Sequence, residues 1–169
     1  MEKETLHHPF PAIYAPDSRI LILGSFPSVK SREQRFFYGH PQNRFWRVLA
    51  ALLGTSVPQT VEEKQDFLLA HRIALWDVIA SCEITGSSDA SIRNAVPNDL
   101  TPILETASIR QIFTNGGTAH RLYRKYIFLL TGREDIALPS TSPANAARSL
   151  DALIDAWQTV REVLDEEAE

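Results

Sequence analysis

The chain has 169 residues, a net charge of −4 at neutral pH, 44% hydrophobic residues and 22% charged residues. This composition is typical of a globular domain and excludes a disordered chain, and no apolar run is long enough to cross a bilayer. Cys82 is the only cysteine, which excludes an internal disulfide and a cysteine-held iron–sulfur cluster or zinc knuckle.

The first half of the chain contains one predicted strand and two predicted helices. Ile20–Leu23 is a continuous apolar run stopped by Gly24, which is typical of a buried parallel strand. Pro41–Leu53 has apolar residues at helical spacing and is predicted to be a helix that ends before a glycine. Thr60–Ala70 begins with a capping-box pattern and predicts a second helix.

The second half alternates short apolar runs with amphipathic segments. Ile73–Trp76 is predicted to be a strand or an extended segment. The later predicted strands are Ile109–Phe113 and Ile136–Leu138, and the later predicted helices are Thr118–Leu130 and Ala146–Leu164. This alternation predicts a three-layer α/β/α fold with a short, mostly parallel central sheet.

We expect residues 1–169 to form one domain, with residues 1–17 and 165–169 at its periphery. His7 and His8 are expected to lie in a flexible terminus, and the five histidines show no metal-ligand spacing. We therefore expect no metal and no cofactor. The protein is expected to be a cytoplasmic monomer that does not interact with membranes.

Charge is unevenly distributed along the chain. A basic cluster lies between Phe26 and Arg47, whereas residues 165–169 are acidic; the cluster consists of Lys30, Arg32, Arg35, Arg44 and Arg47. A local basic patch on an acidic protein suits contact with a few phosphates. An ordinary solvated surface is the alternative interpretation.

The loop after the first predicted strand, residues 24–43, is rich in side chains suited to nucleic-acid binding. Its small residues allow a ligand to approach the backbone closely, and its hydroxyl and basic groups can bind phosphates. Phe36, Phe37 and Tyr38 offer a stacking surface for a base. We expect Phe36 and Phe37 to be in the core and Tyr38 to be half-exposed.

The loop Pro139–Asn145 places three hydroxyl residues between two prolines and leads into the last predicted helix. Hydroxyls next to a helix N-terminus can form an anion site. The alternative is a simple capping loop, in which Ser142 or Asn145 caps the helix.

No familiar nucleophile or nucleotide motif stands out. Ser25 lacks the flanking glycine pattern of a nucleophile elbow, and residues 24–28 lack both a Walker lysine and a dinucleotide-binding glycine triplet. Asn43 and Asp77 remain the polar residues best suited to point into a cleft.

The order of these loops resembles that of the uracil-DNA glycosylase superfamily, over residues 18–164. Gly24-Ser25-Phe26-Pro27-Ser28 is similar to the first motif of that family. His40-Pro41-Gln42-Asn43-Arg44-Phe45-Trp46 resembles the segment that follows in its mismatch-specific branch. Pro139–Asn145 is similar to its second motif, and the segments Ala74–Val78 and Ile92–Asp99 look typical of the hypoxanthine-DNA (deoxyinosine) glycosylase branch.

The resemblance implies a monofunctional DNA glycosylase that hydrolyses the N-glycosidic bond of a deaminated base in base excision repair, and hypoxanthine is the base that we expect. Damaged DNA is the implied partner, and no lyase activity is implied. Phe26 stands where many members carry a water-activating Asn or Asp, and Ser140 replaces the second-motif histidine. The resemblance therefore assigns the main catalytic role to Asn43.

The resemblance and the chemistry of the base together suggest a role for each residue. Asn43 is expected to orient water or to donate to the base, and Asp77 is expected to accept the N1–H of hypoxanthine. Alternatively, Asn43 braces the following helix and Asp77 caps a helix. The residues expected to bind the base are Gly24, Ser25, Phe26 and Tyr38. The residues expected to bind DNA phosphates are Ser28, Lys30, Ser140, Thr141, Ser142 and Asn145. Ala144 is expected to insert into the duplex as a wedge.

Two other functions remain open at this point. The first keeps the fold but changes the substrate to uracil or xanthine. The second is a non-catalytic DNA- or nucleotide-binding module, which the phenylalanine at position 26 keeps open.

Overall fold

The computed structural model of the protein describes residues 3–85 and 91–166. The remaining residues of the predicted domain, among them part of the acidic C-terminus, lie outside the described residues. The strands are β1 (Lys3–His7), β2 (Ile20–Gly24), β3 (Ile73–Asp77), β4 (Ile79–Thr85), β5 (Arg93–Pro97), β6 (Gln111–Asn115) and β7 (Asp135–Leu138). The helices are α1 (Val29–Gln34), α2 (Phe45–Leu53), α3 (Val61–Ala70), α4 (Thr101–Thr106), α5 (Gly117–Tyr126), α6 (Phe128–Thr131), α7 (Leu150–Ala156) and α8 (Gln158–Asp165).

A four-stranded parallel sheet in the order β3-β2-β6-β7 forms the centre of the molecule. The apolar run of β2 is fully buried because this strand has hydrogen-bonded neighbours on both sides and packed layers on both faces. The prediction of a short, mostly parallel central sheet between helices is confirmed.

Alternate side chains of β2 enter two separate cores. Ile20 and Ile22 pack with residues of α2, α3, α7 and α8 on one face of the sheet. Leu21 and Leu23 pack with residues of β4, α4 and α5 on the other face. This alternation follows from the two-residue repeat of a strand, and it holds the carboxyl end of β2 rigidly in place.

A second sheet, with the antiparallel order β1-β4-β5, covers one side of the molecule and was not predicted. Its strands show little hydrophobic alternation in the sequence. The expectation that His7 and His8 lie in a flexible terminus is wrong: Leu6 pairs with Cys82 and His7 with Ser81. The pairing of β1 with β4 carries His8 towards the end of β3.

The predicted helices are present, but three of them have different limits. The helix predicted from Pro41 begins at Phe45, because the side chain of Asn43 accepts the Phe45 N–H. The segment 118–130 is broken at Ile127. The segment 146–164 begins at Leu150, where Ser149 is the N-cap, and is broken at Trp157. The Thr60 cap of α3 is confirmed, with its hydroxyl accepting the Glu63 N–H at 3.0 Å.

Within residues 3–85 and 91–166, no helix combines the length and apolar character needed to cross a bilayer. The same residues contain no group of three or more His, Cys, Asp or Glu side chains that could hold a metal ion.

Candidate functional site

A cleft of about 1080 Å³ opens beyond the carboxyl ends of the parallel strands. Residues of the segment 24–43, of the start of α5 and of the segment 139–148 border it, together with Asp77, Ile84, Thr85 and Asn115. Ligand sites in open parallel sheets form at this edge, because the loops after neighbouring strands meet there. The two loops that the sequence singled out therefore lie on the same side of the molecule.

Gly24, Asp77 and Tyr38 converge at the base of this cleft. Gly24 ends β2 and pairs in register with Asp77, which ends β3. A Cβ atom added to Gly24 would collide with Oδ1 of Asp77 and lie 2.9 Å from Oη of Tyr38. Only glycine fits here, because any side chain would displace both polar groups.

Asp77 is buried, and its two carboxylate oxygens have different surroundings. Oδ2 lies 2.8 Å from Nε2 of His8, and both side chains are 5% exposed. Oδ1 is the oxygen nearest to Gly24. The Asp77 carbonyl accepts a hydrogen bond from Nδ2 of Asn98 at 2.9 Å, which fixes the backbone at the end of β3.

Asn43 is held by two donors to its side-chain oxygen. The backbone N–H of Phe45 donates to Oδ1 at 3.0 Å, and the hydroxyl of Thr141 donates to the same oxygen at 2.8 Å. Because a backbone N–H can only donate, the atom facing Phe45 must be the amide oxygen. Asn43 lines the cleft, and its amide NH₂ is therefore left as the donor of this side chain.

Thr141 joins the two loops across the cleft. It is fully buried, and its hydroxyl accepts from Nδ2 of Asn115 at 3.0 Å while donating to Asn43. Its backbone N–H donates to Oδ1 of Asn115 at 3.1 Å. This placement differs from the phosphate contact expected from the sequence, because the hydroxyl is occupied on both sides.

Arg44 also organises the second loop. Its guanidinium donates to the carbonyl oxygens of Ser142 at 3.2 Å, Asn145 at 3.0 Å and Arg148. Its backbone N–H donates to the carbonyl of Thr141 at 3.0 Å. A basic residue of the predicted patch therefore binds the protein itself.

The aromatic residues of the first loop are distributed as predicted. Phe36 and Phe37 are in the core, and Tyr38 is half-buried. The Tyr38 ring stacks on Phe45, with ring centroids 4.0 Å apart and an interplanar angle of 20°. Phe26 is buried at the cleft wall, where the Arg32 guanidinium lies 5.9 Å from its ring centroid.

The other predicted site residues take several positions. Ser28 lines the cleft and caps α1, accepting the Ser31 N–H at 3.2 Å. Lys30 is exposed on α1 and lies 3.5 Å from Glu33. Ser25 also lines the cleft, as do Thr141 and the other predicted residues of the second loop, namely Ser140, Ser142, Ala144 and Asn145. Thr141 is fully buried. Of the other loop residues, Ala144 is exposed and the remaining three are half-buried.

Sequence reasoning missed His8, Asn115 and the structural role of Arg44. His8 is 69 positions away from Asp77 in the chain, and no local pattern indicates their contact. Asn115 lies two residues after the predicted strand Ile109–Phe113 and is the last residue of β6, so its position near the strand end was the available signal.

Comparisons with known proteins agree with this geometry. The family model described as the uracil DNA glycosylase superfamily matches residues 11–161. A hypoxanthine DNA glycosylase of Methanosarcina acetivorans is 38% identical over 140 residues, covering 80% of this chain and 86% of that protein. A hypoxanthine DNA glycosylase of Methanosarcina barkeri is 30% identical over 149 residues, covering 88% of this chain and 93% of that protein.

The fold is similar as well. A solution NMR structure of a Methanosarcina acetivorans protein, described as a uracil DNA glycosylase, has a TM-score of 0.79 and 34% identity. The match covers 93% of this chain and 97% of that one. By its sequence and its fold, the chain belongs to the uracil DNA glycosylase superfamily.

Proposed function

We propose that this protein is a monofunctional DNA glycosylase that hydrolyses the N-glycosidic bond of hypoxanthine in DNA during base excision repair. The observation that carries the proposal is the convergence of Asn43, Asp77 and Tyr38 on one cleft at the strand ends. The two Methanosarcina relatives named hypoxanthine DNA glycosylase support the choice of base.

The base must first leave the duplex, which costs a few kcal/mol and less for a poorly paired base such as hypoxanthine. Tyr38 then stacks on the extruded base, and this stacking stabilises the complex by roughly 1–3 kcal/mol. Because Phe45 covers one face of the Tyr38 ring, the base uses the opposite face. The backbone of Tyr38 has a φ of 52°, a left-handed conformation that costs about 1–3 kcal/mol and that its packing must offset.

Asp77 reads the edge of the base through Oδ1. Hypoxanthine presents a donor at N1, which an ionised carboxylate accepts. Adenine presents a lone pair at N1, which the same oxygen repels. Normal adenine is therefore rejected by Asp77. Gly24 and Ser25 let the base approach the backbone closely, and Phe26 forms the apolar wall of the cleft.

Asn43 stabilises the departing base as a hydrogen-bond donor. Its Oδ1 already accepts two hydrogen bonds, so this oxygen has no lone pair left to accept a hydrogen bond from water. Its NH₂ group can donate to the purine, which gains negative charge as the bond to C1′ breaks. Of the two roles expected from the sequence, the structure thus favours donation to the base over orientation of water.

The bond between C1′ and the base breaks with its electron pair on the purine, and water then bonds to C1′ of a sugar with oxocarbenium character. The proton that the water loses passes to solvent, and the purine anion takes up a proton from solvent. Phe26 offers no general base at the position used by many relatives, so stabilisation of the leaving purine supplies most of the catalysis. The reaction needs no amine nucleophile, and we expect no strand cleavage.

The second loop and α1 hold the DNA backbone. Ser28, Ser140, Ser142 and Asn145 line the cleft, where their polar groups can contact phosphates. Lys30 does not line the cleft, but it is exposed on α1, two residues after Ser28, and can add a phosphate contact. Thr141 instead positions Asn43, because its hydroxyl is buried, donates its only hydrogen to Asn43 and accepts from Asn115. Exposed Ala144 occupies the tip of the loop as the wedge.

The test uses duplexes of one sequence that carry hypoxanthine, uracil, xanthine or adenine at one position. We expect release of hypoxanthine to dominate, detected as alkali-labile abasic sites, with no cleavage before alkali treatment. Asn43→Ala should slow release by roughly 100- to 1000-fold. Gln42→Ala, which changes the exposed neighbouring amide, should not.

Each alternative function has its own outcome in this experiment. A preference for uracil or xanthine would move the assignment to that base within the same fold. Binding of damaged duplex without release of any base would make the protein a non-catalytic module. We further predict a cytoplasmic monomer that works without metal or cofactor, to be checked by light scattering and by activity in the presence of a chelator.

A further inference from the structure

His8 is buried beside the proposed base-reading group but has no role in the reaction described so far. Its Nε2 lies 2.8 Å from Oδ2 of Asp77. His8 directly follows β1, and the antiparallel pairing of β1 with β4 holds it next to Asp77. The following inference concerns the specificity of the proposed glycosylase and rests on that proposed function.

The proton of the His8 ring faces Asp77. The backbone N–H of Phe10 approaches Nδ1 of His8 at 3.5 Å, and a backbone N–H can only donate. Nδ1 therefore serves as the acceptor, and Nε2 carries the proton that is donated to Oδ2 of Asp77. Aromatic rings surround the imidazole and fix its orientation, with centroids between 4.6 and 6.4 Å away: Phe10, Phe26, Phe37 and Trp76.

The contact leaves Asp77 with one oxygen for the base. Oδ2 is occupied by His8, whereas Oδ1 lies against Gly24 and faces the region next to Tyr38. Without His8, the carboxylate could turn both oxygens towards the base.

The number of available oxygens matters because guanine also has an N1–H. Guanine differs from hypoxanthine by an amino group on C2, and its N1–H and N2–H point in parallel directions. A carboxylate with two free oxygens accepts both hydrogens as a bidentate pair, which favours guanine over hypoxanthine. A carboxylate with one free oxygen accepts only N1–H and leaves the guanine amino group without its partner.

We infer that His8 is a positioning residue that makes the site discriminate against normal guanine, by occupying Oδ2 of Asp77. The substrate class that it selects is a 6-oxopurine with hydrogen at C2. The NH₂ group of Asn43 and the ring of Tyr38 do not make this distinction, because they contact features that both bases share.

The experiment measures base release from two duplexes of the same sequence, one with hypoxanthine opposite thymine and one with guanine opposite thymine. Both pairs are mismatched, so extrusion affects the comparison little. We expect His8→Ala to raise the guanine-to-hypoxanthine ratio of kcat/KM by about tenfold or more, the value of one charge-assisted hydrogen bond. His8→Gln retains a side-chain N–H for Oδ2 and should keep the wild-type ratio, as should His7→Ala at the exposed neighbouring histidine.

An unchanged ratio in folded His8→Ala would overturn the inference. If that variant does not fold or releases neither base, the variant Asp77→Asn tests the same inference, namely that His8 sets the orientation of the side chain at position 77. In this variant the N–H of His8 needs an acceptor, so the amide oxygen of residue 77 turns towards His8 and the amide NH₂ turns towards the cleft. Because an NH₂ group can donate to N1 of adenine, the adenine-to-hypoxanthine ratio of kcat/KM should rise. Retention of the wild-type preference for hypoxanthine over adenine would also overturn the inference. Failure of the proposed function can be distinguished from failure of this inference, because in the former case the wild-type protein would release no hypoxanthine.

Discussion

The hydroxyl of Thr141 donates to Oδ1 of Asn43 at 2.8 Å, although 98 positions separate the two residues in the chain. This bond joins the loop after β2 to the loop after β7. It also fixes the Asn43 amide oxygen against Thr141, so the orientation of the proposed catalytic donor depends on a residue of the other loop.

Removal of that hydroxyl should slow catalysis. Thr141→Val keeps the shape but removes a hydrogen bond worth about 1–3 kcal/mol, which corresponds to roughly 5- to 150-fold in kcat. KM for DNA should change little, because the side chain is buried. Thr141→Ser retains the hydroxyl and serves as the control; a wild-type kcat in Thr141→Val would refute the positioning role.

Replacement of Arg44 should loosen the second loop. Lysine cannot bridge the three carbonyls that the guanidinium contacts, so Arg44→Lys should lose about 3 kcal/mol of stability and lower Tm by roughly 6–12 °C. Thermal unfolding measures this change, and Arg47→Lys at an exposed neighbour is the control. If Arg44 acted only on phosphates, its replacement would alter the salt dependence of DNA binding while leaving Tm unchanged.

A methyl group at position 24 should disable the site without unfolding the protein. Gly24→Ala pushes its Cβ into Oδ1 of Asp77 and towards Oη of Tyr38, and a displacement of this size costs roughly 100-fold in rate. Gly132→Ala is the control variant. Gly132 has a φ of 66°, which strains any residue with a side chain, but the added methyl group would contact no other atom, and Gly132 does not line the cleft. That change should lower Tm but leave kcat/KM unaltered, and equal activity losses in both variants would contradict the prediction.

Stability should depend on Tyr123 at alkaline pH. Burial raises the pKa of the Tyr123 phenol above its ordinary value, and its hydroxyl donates to the carbonyl of Arg133 at 2.6 Å. Because the folded pKa is raised, the stabilisation is complete below the unfolded pKa near 10 and is lost as the pH rises through the folded pKa.

Tyr123→Phe tests this by denaturant unfolding at pH 7 to 11. We expect a loss of about 1–3 kcal/mol at neutral pH and a smaller decline in stability above pH 10 than in the wild type. Tyr126→Phe on the same helix provides the comparison. Parallel stability curves for wild type and Tyr123→Phe would rule out a role for this phenol in the alkaline transition.

A larger wedge should help extrusion from paired DNA. Ala144→Leu adds three carbons at the exposed tip of the second loop, and their burial between bases at roughly 0.8 kcal/mol each favours the open duplex. The rate on a duplex should rise by up to about 60-fold relative to the rate on a single strand. Ala146→Leu, also exposed, should leave that ratio unchanged; the same increase in both variants would argue against a wedge at residue 144.

Features encoded by neighbouring residues could be predicted from the sequence. The apolar run at Ile20–Leu23 indicates a buried strand, and the Thr60 capping pattern correctly places the start of α3, because both depend on contacts within a few residues. The same local reasoning correctly separates core Phe36 and Phe37 from half-buried Tyr38. Family resemblance then indicates which strand-end loops face each other.

The tertiary structure alone decided how those loops act on one another. His8 meets Asp77 only because β1 pairs with β4, and the Asn43 amide is oriented only because Thr141 reaches it from a distant loop. Periodicity and capping report the hydrogen bonds and burial of one segment, whereas these contacts depend on the relative placement of several segments. The sequence by itself thus determined the central sheet, most helices and the two loops at the cleft. Long-range packing determined which atoms of Asp77 and Asn43 are already hydrogen-bonded within the protein.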